Sequence, residues 1–387
     1  MNLALLQPQV RDYLLVHLHE NAASFILKSH PFEISSQELA QQLIGLQKAK
    51  SKFPILFKNE QTLYPPKVNL EQTSSWETAI YKANLVKGDS MMDLTGGFGI
   101  DDIAFAKAYS TTIHIELNPE LQELAAHNFK ALGTHIQSFQ NDGISFLKST
   151  KDRFDLIYID PSRKTETTSK AILLTDYEPN VIDHLDLLFE KSDQVLIKTS
   201  TMLDITAGMQ QLKNVAEIHV VAIKNEVKEL LWLLRKDSLS TIVMAINLQS
   251  KQPNFQFKLN QSLSINLGEP LAYLYEPNAA IMKTQAFGAI CKQYDVIKID
   301  QDAHLFSHNE QIEFPGRSFR IVSINDYKPK IIKRNFGKSA RAVVTRNFRE
   351  SVKSLRSKYK FTEHEVDYLF FTSIAGRGAV VIEAQKI

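Results

Sequence analysis

The sequence predicts an α/β protein. Its expected centre is a doubly wound, mostly parallel sheet with an antiparallel last strand. A helical region precedes that sheet and small α+β domains follow it. Three observations carry the prediction. Short apolar runs alternate with amphipathic segments from Ser90 to about residue 213, as a parallel sheet with helices on both faces requires. A glycine turn, Gly96-Gly97-Phe98-Gly99, follows the first of those runs. The stretch VAEIHVVAIKNEVKELLWLLR then reads as two strands joined by a short turn, which places an antiparallel strand at the end of the series.

Each element has its own cause. Residues 1–75 read as helical. Leu14, Leu18, Phe25 and Ile26 recur at helical spacing, and Ser35-x-x-Glu38 forms a capping box ahead of Leu39, Leu43 and Leu46. Pro54, Pro65 and Pro66 interrupt regular structure. A second box, Ser74-x-x-Glu77, is expected to open a helix reaching about Asn84. Strands are expected at 91–95, 112–117, 135–142, 154–160 and 193–200. Between the second and third, Asn118 caps a helix with Pro119 at its first position, and Gly133 ends it. EPNVIDHLDLLFEKS and residues 202–213 are the later helices. Beyond residue 238 the rhythm is lost. TIVMAINL and NFQFKL are expected in a separate sheet, and YLYEPNAAIMKTQAFGAICKQYDVIKI as strand–helix–strand. IIKRNF is expected as a proline-led strand and SVKSLRSKYK as a basic helix. YLFFTSI-AGRG-AVVIEA is expected as a terminal hairpin.

Composition sets limits. The chain has 387 residues, 44% hydrophobic and 23% charged, an ordinary globular balance that excludes a disordered or collagenous chain. One cysteine, Cys291, allows neither an internal disulfide nor a thiolate zinc site. No apolar run approaches the roughly 18 residues of a membrane span. The start, MNLALLQPQVR, does not read as a signal peptide. A cytoplasmic protein without a metal or membrane partner is therefore expected. The net charge of +2 hides an asymmetry: residues 328–360 hold twelve Lys or Arg and one acid, Glu350, so that segment is +11 and the remainder −9. Such a segment suits a polyanion, or is a solvated basic face. Phe336, Phe348, Tyr359 and Phe361 lie among its charges and are expected mostly to fill the core beneath them.

The chemistry gathers at expected strand ends, where ligands bind in a doubly wound sheet. Asp93-Leu94-Thr95-Gly96-Gly97-Phe98-Gly99 closes the first strand, and its glycines let backbone turn sharply against a ligand. Gly97 and Gly99 match the first two glycines of a dinucleotide fingerprint, but Asp102 holds the third place, where its carboxylate is expected to repel a pyrophosphate. A cationic adenosine cofactor without phosphate, S-adenosylmethionine, is favoured instead. Glu116 ends the second strand and can accept both ribose hydroxyls, each such bond contributing about 1.5–3 kcal/mol. Asp142, before Gly143, ends the third and can receive an adenine amine; Asn141-Asp142-Gly143 reads equally as a plain turn. Asp160-Pro161-Ser162-Arg163-Lys164 ends the fourth. Asp160 and the Pro161 carbonyl can hold the N–H groups of an amine and aim its lone pair at a methyl carbon. Asp160 can also take the released proton. A structural Asp-Pro turn is the alternative.

DLTGGFGID, the acid at Glu116 and DPSRK together resemble the first, second and fourth motifs of class I S-adenosylmethionine-dependent methyltransferases. LYPPKVNLEQTSSWETAIYKANL, DYEPNV and LIKTSTMLDI are similar to a narrower, Bacteroidetes-type group with a middle ferredoxin-like domain and a C-terminal THUMP-like domain. The resemblance implies four parts: a helical region at 1–75, a Rossmann-like methyltransferase domain at 76–237, a ferredoxin-like domain at 238–327 and a basic THUMP-like domain at 328–387. It implies cofactor contacts at Asp93, Thr95, Gly96, Gly97, Phe98, Gly99, Glu116, Leu117, Asp142, Gly143 and Asp160. Asp160, Pro161, Ser162 and Arg163 would face the substrate. THUMP domains usually sit on RNA-modifying enzymes, so the resemblance implies tRNA or rRNA binding through residues 328–360.

One departure matters. Amine-methylating relatives have a second proline and then an aromatic ring where this chain has Ser162 and Arg163, which weighs against methylation of a base amine. Methylation at uracil C5 needs a cysteine nucleophile, and Cys291 falls in an expected helix of another domain. The expected function is an RNA methyltransferase working by direct in-line transfer. A small-molecule methyltransferase and a non-catalytic RNA-binding protein with a vestigial pocket are the alternatives, and a nicotinamide dehydrogenase is a distant one.

Overall fold

Proline at the first helical position, where its missing N–H costs nothing, opens α1 (Pro8–Val16). The structure is a computed structural model that describes residues 1–163, 173–261 and 263–387. The apolar run from Leu14 to Ile26 is two helices, not one, because Asn21 caps a separate α2 (Ala22–Ile26). The capping box at Ser35 and Glu38 is present and starts α3 (Ser36–Lys52). Short helices α4 (Pro54–Phe57) and α5 (Lys67–Gln72) follow. Helix α6 (Trp76–Ala83) is capped by Ser75, one residue after the expected Ser74. The Ser74 hydroxyl is committed elsewhere. It donates to Asp101 Oδ2 at 2.9 Å and accepts from Lys82 Nζ at 3.0 Å, beside a buried Lys82–Asp101 ion pair.

The strand–helix alternation then appears as the spacing requires. The elements are β1 (Ser90–Asp93), α7 (Ile100–Phe105), β2 (Thr111–Glu116), α8 (Pro119–Ala131), β3 (Ile136–Gln140), α9 (Gly143–Ser149) and β4 (Leu156–Ile159). A small ribbon, β5 (Ser162–Arg163) and β6 (Tyr177–Glu178), precedes α10 (Leu185–Lys191), β7 (Gln194–Thr199) and α11 (Ile205–Gln211). The expected helix from residue 178 to 192 is shorter: a 3-10 turn at Val181–His184 leads into α10. Next come β8 (Val215–Ile223) and β9 (Glu226–Arg235), joined by Lys224 and Asn225. Both turn residues have positive φ, as a two-residue hairpin turn demands.

One structural unit takes in residues 1–216 and 230–239. Its strands stand in the order β3-β2-β1-β4-β7-β9. The first five are parallel, and β9 runs antiparallel to β7, with Gln194 opposite Arg235 and Thr199 opposite Leu230. Strand β4 is buried throughout, which explains its unbroken apolar sequence. The helical N-terminal segment packs on this sheet's helices. The Asn128 side chain of α8 exchanges two hydrogen bonds with the Leu63 backbone, at 3.0 and 2.9 Å, and Asn59 Nδ2 donates to the Ala131 carbonyl.

The second unit takes in residues 217–229 and 240–387. Here β10 (Ile242–Leu248) pairs in parallel with β8, and β11 (Phe255–Lys258) runs antiparallel to β10. The separate sheet expected for these two segments is therefore not formed; they extend β8. Apolar patterning identified the strands but could not say which edge they would join. The remaining elements are β12 (Tyr273–Pro277), α12 (Ala279–Thr284), α13 (Phe287–Tyr294), β13 (Ile297–Lys298), β14 (Phe306–His308) and β15 (Gly316–Asp326). After them come α14 (Pro329–Phe336), β16 (Ala342–Thr345), α15 (Val352–Tyr359), β17 (Asp367–Ile374) and β18 (Gly378–Lys386). Seven of these strands form a second sheet in the order β13-β14-β12-β15-β18-β17-β16. The helix expected after β12 is two helices, broken at Gln285 with φ +54°.

IIKRNF is not a strand. Pro329 stands at the start of α14, and Ile332 and Phe336, four residues apart, are both buried while Lys330, Lys333 and Arg334 face solvent. Tyr359 and Phe361 join them in one core cluster, and Phe348 packs against it. The rings of the basic segment fill its core, as expected.

Candidate functional site

The turn after β1 is organised by its own side chains. Asp93 is 1% exposed, and its Oδ1 accepts the Thr95 N–H at 2.7 Å and the Thr95 hydroxyl at 3.1 Å. Thr95 Oγ1 accepts the Asp160 N–H at 2.7 Å, which ties the turn to the end of β4. Burial holds the Asp93 carboxyl well above its usual range, and the neighbouring Asp102 adds to the effect. Gly97 has φ +59°, and its N–H donates to Glu116 Oε2 at 2.8 Å. The other oxygen of Glu116 accepts the Asn118 N–H at 2.7 Å. The glycines divide the work. A Cβ on Gly99 would lie 2.4 Å from the Phe129 ring, and one on Gly96 would strike the His114 ring. A Cβ on Gly97 would meet nothing nearer than 3.7 Å, so this glycine presents open space.

Two side chains face inward. The Phe98 ring is 6.1 Å from Phe53 and 6.5 Å from Tyr64, centre to centre, which leaves only its backbone for a ligand. Asp102 is fully buried, with Oδ2 2.9 Å from His114 Nδ1. The expected repulsion of a pyrophosphate by Asp102 is therefore corrected: α7 carries this carboxylate to the interior face. Burial pushes Asp102 well above its ordinary range and His114 down to about 4. The imidazole is neutral near pH 7.

The other predicted residues gather at neighbouring strand ends. Leu117 is exposed beside Glu116. Asp142 is exposed and caps α9 by accepting the Ser145 N–H at 2.8 Å, so Asn141-Asp142-Gly143 opens a helix rather than forming a plain turn. Gly143 lies against the Leu94 carbonyl, where a Cβ would come within 2.2 Å. Pro161 is buried, while Ser162 and Arg163 are exposed in β5. Lys164 lies outside the described residues. Thr95, Gly97, Glu116, Asp142 and Asp160 thus stand at the carboxyl ends of four adjacent strands, β3-β2-β1-β4. Sequence reasoning missed one residue. Lys198 of β7 forms an ion pair with Asp160 Oδ2. Its signal was a lysine closing the fifth expected strand, in LIKTS.

Comparison with known proteins follows from this geometry. Residues 273–315 match the family model of a ferredoxin-like domain, and residues 316–386 match that of a THUMP domain-like fold. No curated protein matches the sequence. Among solved structures, a methyltransferase candidate from Porphyromonas gingivalis W83 superposes with a TM-score of 0.86 at 28% identity, over 98% of this chain and 97% of that one. The fold is that of the class I methyltransferases. A 16S rRNA methyltransferase from T. thermophilus, in complex with AdoMet and guanosine, is also similar (TM-score 0.31, 13% identity, 44% of this chain and 43% of that one). So is an RNA methyltransferase candidate from Pyrococcus horikoshii (0.27, 20%, 38% and 70%). Those two scores are too low to bear on the reading. Cys291 is buried on α13 of the second unit, within the residues that match the ferredoxin-like domain. Burial raises its thiol above the usual value, which disfavours the reactive thiolate. Among the described residues no cluster of three His, Cys, Asp or Glu could hold a metal, and no helix is long and apolar enough to cross a membrane.

Proposed function

We propose that the chain is a cytoplasmic S-adenosylmethionine-dependent methyltransferase acting on RNA. One observation carries the reading: the Glu116 carboxylate is turned onto the Gly97 N–H, beside the open side of the glycine turn. The residues present fit the cofactor. Glu116 would accept the ribose hydroxyls, Asp142 would receive the adenine amine, and the Thr95–Gly97 backbone would lie along the remainder. Leu117 would offer an apolar face to the base. The cofactor, when bound, supplies the electrophilic methyl group. Asp160, whose backbone is pinned through Thr95, is held for the acceptor. Such alignment is worth several kcal/mol of barrier.

The RNA part rests on the second unit. Of the twelve cations in 328–360, Arg341, Arg346, Arg356 and Lys358 pair with carboxylates. Lys328, Lys330, Lys333, Arg334, Lys338, Arg349, Lys353 and Lys360 are exposed and make no ion pair among the described residues. Free cations of this number suit a polyphosphate backbone. The division at residues 75, 237 and 327 is part of the same proposal.

The test is transfer of labelled methyl from S-adenosylmethionine to RNA taken from a strain lacking this gene. Wild type is expected to label the RNA, and Gly97→Val, which fills the open side, to lose labelling and cofactor binding together. A wild-type chain that neither binds the cofactor nor labels RNA would overturn the proposal.

A further inference from the structure

We propose that the methyl acceptor is a ribose hydroxyl of RNA rather than a base amine, selected by the Lys198–Asp160 ion pair. The inference rests on the methyltransferase reading above. Ile159 of β4 stands opposite Ile197 of β7, so Asp160 and Lys198 occupy the next step of two adjacent parallel strands, at their carboxyl ends. The Lys198 ammonium sits on Asp160 Oδ2, with the two side chains 13% and 31% exposed. Among the described residues Asp160 Oδ1 accepts no hydrogen bond; the bonds of this residue there are those of its N–H and of Oδ2.

A fixed ammonium discriminates between acceptors. An amine nitrogen becomes cationic as it takes the methyl group, and the ammonium, by occupying Asp160 Oδ2, offsets the carboxylate charge that would otherwise favour that cation. A hydroxyl oxygen instead sheds its proton and builds negative charge, which the ammonium favours. The step balances. The hydroxyl oxygen bonds to the methyl carbon, and the sulfur–methyl bond breaks with its electron pair left on sulfur. The hydroxyl proton passes to Asp160 Oδ1. A sulfonium and a carboxylate become a thioether and a carboxylic acid, which then returns its proton to water. The neighbourhood agrees. Ser162 and Arg163 are exposed in β5 where a ring would be needed to clasp an extruded base, and a ribose hydroxyl needs no such clasp.

Lys198 is thus a positioning residue acting through Asp160. The full chain is incubated with methyl-labelled S-adenosylmethionine and RNA from the deletion strain, and the product is hydrolysed in alkali. A methylated 2′-hydroxyl protects its phosphodiester, so the label is expected in alkali-resistant dinucleotides. Lys198→Met is expected to lower turnover by about 100-fold or more, the scale of losing one preorganised electrostatic partner, with cofactor affinity preserved. Lys198→Arg is expected to recover most of that loss. Label in mononucleotides overturns the hydroxyl assignment, and wild-type turnover by Lys198→Met overturns selection by the ion pair; either leaves the methyltransferase reading standing. Absence of cofactor binding in calorimetry removes both.

Discussion

At the residue scale, Thr95 shows how few atoms hold the candidate site. Its hydroxyl donates to Asp93 and accepts from the Asp160 N–H, so one side chain couples the ends of β1 and β4. Thr95→Val leaves that N–H without its partner. A loss of about 1–3 kcal/mol in urea unfolding is expected; an unchanged midpoint would show the bond to be idle. The glycines separate in the same way. Gly99→Ala drives a Cβ into Phe129, whereas Gly97→Ala meets open space, although both residues carry positive φ. Gly99→Ala is therefore expected to unfold at lower temperature than Gly97→Ala, by an overpacking penalty of about 1–3 kcal/mol. Equal melting temperatures would contradict the assignment of roles. The sequence showed that a glycine turn was there. It could not show which glycine faced the ring and which the opening, nor that Asp102 turned inward, because those depend on where α8 places Phe129 and how α7 rotates.

At the scale of elements, α6 and α7 are joined by the Lys82–Asp101 pair, with Ser74 and the Tyr158 hydroxyl completing the hydrogen bonds to Asp101. Removing the lysine strands a buried carboxylate. Lys82→Met is expected to cost about 3–5 kcal/mol in urea unfolding, and a cost under 1 kcal/mol would show the pair to be dispensable. Strands β1 and β4 are joined at their other end by Asp155, which accepts the Ser90 and Asp89 N–H groups, at 2.9 and 2.8 Å. Those bonds, Ser90's first, hold its carboxyl below the usual 3.8. The stabilisation is present above that unfolded value and fades as pH falls through the lower folded one. Melting temperatures of wild type and Asp155→Asn should therefore converge as pH drops below about 4. A constant gap down to pH 2.5 would refute this. Caps and periodic helices were legible because their causes are local: Ser35 with Glu38, and Asn118 with Pro119. The helix at α14 was misread because Pro329 opens helices and strands alike, and the deciding feature, Ile332 with Phe336 on one buried face, is a matter of packing. The Ser74 cap was misread because a tertiary ion pair claimed its hydroxyl.

At the scale of the molecule, charge was readable and pairing was not. The sequence shows twelve cations; only the structure separates the four held by carboxylates from the eight that make no ion pair among the described residues. Affinity for single-stranded RNA should follow the free set. Replacing Lys330, Lys333 and Arg334 by Gln is expected to flatten the dependence of log affinity on log salt by about 2, at roughly 0.7 for each phosphate no longer neutralised. Arg346→Gln, which removes a partner of Glu276, is expected to leave that slope unchanged. Equal effects would mean that the free face is not where RNA binds. The class of fold and the motif-bearing strand ends were legible from alternation and spacing alone. Lys198 was not, because nothing in LIKTS says which strand β7 will stand beside. The measurement that bears most directly on the whole reading is a calorimetric titration of S-adenosylmethionine into wild type and Glu116→Gln. Saturable binding by wild type, weakened about 10-fold or more when the charge is removed, is the predicted result. Equal binding by both chains, or heat from neither, would contradict it.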